Sequence, residues 1–183
     1  MNQSITLRAC LLATSLLTLP VAYAATITQA DYKAGKTRIS ADYKAAKSAC
    51  ASMSANAKDI CVQEAKAKEK VALAENEFSY TGKAADGTKV LVAKAESTYA
   101  VAKERCDDKA GNDKDVCVKE AKAVETKALA DAKLGKEIGE AKKDAAADKM
   151  DADYKVAIEK CDALAGDAKS SCVASAKTKF GKS

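Results

Sequence analysis

The chain has 183 residues, with 31 Lys+Arg against 26 Asp+Glu and neither His nor Trp. A net charge of +5, laid down as alternating signs without basic blocks, is the pattern of a solvated helix surface and not of a nucleic-acid footprint. Without His there is no imidazole base or triad and the commonest metal ligand is missing; no glycine-rich phosphate loop replaces them, so no enzyme, metal or cofactor is expected.

The first 24 residues, MNQSITLRACLLATSLLTLPVAYA, hold one Arg (Arg8), an apolar run from Cys10 to Leu19, then Pro20 and small residues at Ala22 and Ala24. That is the layout of a secretory signal peptide, residues 1–24, cut after Ala24. Arg8 ahead of Cys10 and the apolar run behind it argue against a lipidated cysteine. The run is much shorter than the roughly 20 residues that span a bilayer, and no later stretch is longer, so no transmembrane segment is expected after cleavage. Residues 25–183 then read as a single helical repeat domain.

From Ala25 onward 37 of 159 residues are Ala and none is Pro. Ala is the best helix former and Pro the worst, by about 3 kcal/mol, so the predicted class is all-α. Large aliphatic side chains are too few for one thick core, which favours thin helix pairs packed through Ala. Six cysteines remain, an even number in an exported chain, and read as a disulfide framework.

Three stretches share one skeleton: YKAAKSACASMSANAKDICVQEAK from Tyr43, YAVAKERCDDKAGNDKDVCVKEAK from Tyr99 and YKVAIEKCDALAGDAKSSCVASAK from Tyr154. Successive copies start 56 and 55 residues apart, within repeat units of about 41–80, 97–134 and 152–181. Each holds a cysteine pair at a separation of eleven: Cys50 and Cys61, Cys106 and Cys117, Cys161 and Cys172. On one helix such residues lie about 16 Å apart along the axis, whereas a disulfide needs Cα atoms within roughly 7 Å. A bond within each repeat therefore requires the chain to double back at Ala55-Asn56, Gly111-Asn112 and Gly166-Asp167. Gly would end one helix in the left-handed region, and Asn or Asp would cap the next, with Asp59 and Asp115 adding negative charge near its start. The competing geometry is an unbroken helix with an eleven-residue repeat and cysteines joined between chains in a right-handed coiled coil. Two glycines at matching midpoints, each costing about 1 kcal/mol inside a helix, weigh toward hairpins.

In chain order the predicted helices are about 27–55, 57–80, 88–110, 112–134, 140–165 and 168–180. The echo of ADYK at Ala30 and Ala41 extends the first toward the N-terminus. SYTGKAADGTK, Ser79 to Lys89, is a loop; KLGKEIGEAK, with Gly135 and Gly139, is either a second loop or a loosened stretch of one long helix. With a loop there, all three bends fall at the same end of an up-down array. Tyr43, Tyr99 and Tyr154, with Ala46, Ala102 and Ala157, form an apolar stripe facing a return stripe of Val62, Val118, Val173 and Ala65, Ala121, Ala176. Lys58, Lys114 and Lys169 recur just past each bend; clustered at one end they would meet an anionic envelope polymer or lipid head groups.

With that skeleton in view, the sequence resembles a group of small Ala/Lys-rich exported proteins of proteobacteria, built on repeats such as DYKVAIEKCDALAGDAKSSCVASAK and ending near AKTKFGK. Members are commonly labelled hypothetical or "cell envelope biogenesis protein TolA". The resemblance runs over essentially all of the chain after the signal segment and implies a periplasmic protein with a structural or interaction role in the cell envelope, stress-related roles included. It carries over no site residues and names no partner beyond an unspecified envelope protein or polymer.

Overall fold

The computed structural model describes residues 26–182; the signal-peptide reading of 1–24 lies outside them. The described chain is all-α, with helices α1 (Gln29–Ala49), α2 (Ala55–Thr81), α3 (Ala84–Cys106), α4 (Gly111–Asp162) and α5 (Gly166–Lys179), a short 3-10 turn at Cys50–Ser52, and no strand among the described residues. Each α-helix packs only on its neighbours in the chain, α1 on α2, α2 on α3, α3 on α4 and α4 on α5. The result is an up-down succession of antiparallel hairpins.

Local chemistry accounts for most ends. Thr28 starts α1, its hydroxyl accepting from the Asp31 N–H at 3.1 Å. Along α1 the buried Gly35 leaves room for the Asn76 carboxamide, which donates to the Tyr32 carbonyl at 3.0 Å, while Tyr32 stacks on Tyr80 with ring centroids 4.6 Å apart. The α2–α3 turn is only two residues long. Gly82 adopts φ +62°, and Thr81 Oγ1 donates to Asp86 Oδ2 at 2.6 Å while Lys89 Nζ meets Asp86 Oδ1 at 2.8 Å. Gly87, expected in this loop, instead lies inside α3, where an added Cβ would press on the Phe78 ring at 3.2 Å.

The hairpin geometry is the one realised. Cys50–Cys61, Cys106–Cys117 and Cys161–Cys172 are bonded within the chain, with Cα atoms 5.7, 5.7 and 5.6 Å apart. The bends differ in detail from the expectation. Each has an extended residue, Ser54, Ala110 or Ala165, followed by a left-handed one, Ala55 (φ 49°), Gly111 (φ 56°) or Gly166 (φ 55°). The left-handed residue opens the new helix and does not close the old one, and no side chain caps any of the three starts. Asn56 is thereby freed for another use: its carboxamide crosses to the second bend, donating to the Glu104 carbonyl at 2.9 Å and to Asp108 Oδ1 at 2.8 Å.

The larger correction concerns residues 112–134 and 140–165. They are not two helices but one, α4, 52 residues long and so about 78 Å from end to end. Gly135 and Gly139 lie inside it, fully solvated. The first two bends share an end, but the third is carried about 66 Å along α4 from the second. The reason is visible in the turn that α4 lacks. Counting 56 residues on from Thr81, Gly82 and Asp86 reaches Glu137, Ile138 and Lys142. A β-branched Ile resists the left-handed region, and the Thr–Asp hydrogen bond has no counterpart. Without turn chemistry, a run of strong helix formers stays helical through two glycines.

Candidate functional site

The six cysteines are structural. Cys50, Cys106 and Cys161 are the most deeply buried side chains, with at most 1% of their surface exposed, and hold the root of each hairpin. Around them the expected stripes meet. Tyr43, Tyr99 and Tyr154 are half-buried, as are Val62, Val118 and Val173, and Ala65 and Ala176 are buried. Each ring also has an ammonium group near it, Lys47 at 6.0 Å from Tyr43, Lys122 at 4.9 Å from Tyr99 and Lys182 at 5.8 Å from Tyr154. This positions the tyrosines as packing groups with a cation at the face. Lys122 also reaches the buried carboxylate of Glu125 at 2.6 Å, and that hydrogen bond raises the lysine's pKa.

The three post-bend lysines do not form one cluster. Lys114 is paired with Asp107 at 2.9 Å, and Lys169 with Asp162 at 2.9 Å, each across its own bend. Asp107 holds Lys114 firmly in its charged form by hydrogen bonding. Lys58 is exposed and forms no ion pair among the described residues. The straight α4 removes Lys169 from the end where Lys58 and Lys114 lie, so the expected convergence of three ammonium groups does not occur.

What the sequence reading missed is a groove of about 810 Å³ over α3, walled by α2 and α4. Its lining includes Val71 and Ala72 of α2, Ser97 and Val101 of α3, and Ala121 and Val124 of α4. Two ion pairs on its border tie α2 to α3, Glu64 to Arg105 at 2.6 Å and Glu75 to Lys94 at 2.7 Å. The Ser97 hydroxyl is buried and has no hydrogen-bond partner. The groove exists because small residues on α3 let α2 and α4 approach it while the two walls do not touch each other. No signal along one helix reports such a space; it depends on the angle between two neighbours.

Among the described residues no group of three or more Cys, Asp or Glu side chains is placed to hold a metal ion, and no helix is long and apolar enough to cross a membrane. No protein-family model, curated protein or solved structure matches the chain.

Proposed function

We propose that the protein is exported to the periplasm and acts there as a non-enzymatic structural or interaction element of the cell envelope. The observation that carries this reading is the set of three intramolecular disulfides, one at the root of every long hairpin. Such bonds persist in oxidising compartments and are reduced in the cytosol. The architecture suits the role: a stapled group of helices with an open groove, and a second stapled hairpin displaced from it by a bare stretch of α4. The resemblance to Ala/Lys-rich exported proteins of proteobacteria supports the same reading.

The test is affinity capture from envelope extract with the disulfide-intact protein, beside a deletion strain challenged with envelope stress. Recovery of a reproducible envelope partner together with an envelope defect is the expected result. No partner and a wild-type envelope would overturn the reading.

A further inference from the structure

Between residues 133 and 150, α4 is exposed on every side. One face of it, traced at helical spacing, passes through Glu120, Val124, Lys127, Asp131, Gly135 and Ile138, and continues through Lys142, Ala145, Lys149, Asp153, Val156 and Lys160. Steps of three and four residues keep all twelve on one stripe about 60 Å long. All twelve are exposed, and none of the charged ones forms an ion pair among the described residues.

The stripe is self-complementary about residue 140. Nine residues either side stand Asp131 and Lys149, thirteen either side Lys127 and Asp153, and twenty either side Glu120 and Lys160. Sixteen either side stand Val124 and Val156, exposed by 57% and 53%. Near the centre Gly135 faces the position of Ala145, two small residues where two backbones would come closest. No pairing on this stripe sets like charges opposite each other.

The same contact is already made once in the molecule. Fifty-six residues before Glu120 and Asp131 are Glu64 and Glu75 on α2; fifty-five before Lys149 and Lys160 are Lys94 and Arg105 on α3. Those four form the two α2–α3 ion pairs, in the same antiparallel register. Along a straight α4 the corresponding partners lie about 27 and 60 Å apart and cannot meet within one chain. We infer that a second copy of this chain supplies them: two α4 helices pack antiparallel about a two-fold axis at residue 140, an isologous interface. Each copy's third hairpin then lies beside the other's second, as α3 lies beside α2. Glu120 and Val124 also border the groove, so the partner helix runs along its mouth.

The experiment is sedimentation equilibrium of the disulfide-intact chain, with variants Asp131→Lys, Lys149→Asp and the double swap. Two-fold symmetry makes each single reversal set two like-charge pairs in the dimer, and association should weaken about tenfold at low ionic strength. The double swap should restore it, and high salt should narrow the differences. Circular dichroism of each variant checks that α4 remains helical. A monomer at all concentrations, a monomer whose spin labels at 131 and 149 report close contact, or a dimer indifferent to the reversals would overturn the proposal.

Discussion

At the second bend Cys106–Cys117 ties α3 to α4, while α2 also packs along α3 and Asn56 reaches across from the first bend. At the third bend an equivalent staple, Cys161–Cys172, ties α4 to α5, and α5 touches nothing else. The two bends share a skeleton, a left-handed glycine and a lysine–aspartate pair across the turn. They differ in how many other contacts hold the second arm in place, and this sets what each staple contributes. A covalent link adds most to folding where the non-covalent interface is smallest.

The largest expected effect therefore follows from removing the third staple. Replacing Cys161 and Cys172 by Ser releases a short closed loop worth roughly 3 kcal/mol on the chain-entropy estimate. Helix α5, at 14 residues, is near the length below which isolated helices are marginal. Hydrogen exchange should show protection lost over 166–179 with the helices near the first two bends unchanged. The matching variant Cys106→Ser/Cys117→Ser should lower overall stability but leave α4 protected against α3; similar local loss at both bends would dissolve the distinction.

Next come the left-handed residues. Gly111→Ala and Gly166→Ala should each destabilise by roughly 1–2 kcal/mol, since a Cβ there meets the following carbonyl. The first bend already carries that strain at Ala55, so Ala55→Gly should raise the thermal midpoint, by somewhat less because glycine also loosens the unfolded chain. Paired melting curves would check all three, and a stabilised Gly111→Ala would break the comparison.

A smaller effect is expected in the bare stretch of α4. Gly135→Ala and Gly139→Ala should each stabilise the helix by about 1 kcal/mol, read as slower amide exchange between 133 and 150. Neither glycine has a neighbour within 4 Å to resist an added methyl.

The smallest is a pH response that again separates the two regions. Hydrogen bonds from Lys89 and Thr81 hold the Asp86 carboxyl below the ordinary carboxylate range at the α2–α3 turn. Lys182 does the same to Asp151, fastening the C-terminal residues to α4. A carboxyl lowered only in the folded state stabilises fully above its unfolded pKa, and loses that contribution as pH falls through the folded value. Acid titration should loosen both ties, and Asp86→Asn or Asp151→Asn should remove the acid response at its own site only, as followed by backbone amide shifts.

Much of this fold was legible because its determinants are local. Cysteines eleven apart cannot bond along a helix, so the doubling back at Asn56, Asn112 and Asp167 followed from bond geometry alone. The cap chemistry was misjudged because Asn56 had a better partner on another bend, and no reading of its neighbours in sequence reveals Glu104 and Asp108. The three-lysine cluster was misplaced for a different reason, since it depended on which way an unsettled stretch would fall.

The sequence by itself determined the helical class, the stapled bends and the stripe of complementary charges on α4, because helix propensity, disulfide reach and residue spacing act over a few turns. Only the tertiary structure decided that residues 135–139 run straight, that α2 and α4 leave a groove over α3, and that the third hairpin stands apart. Two glycines cost too little to break a helix without turn chemistry, and where hairpins lie relative to one another depends on contacts between residues far apart in the chain.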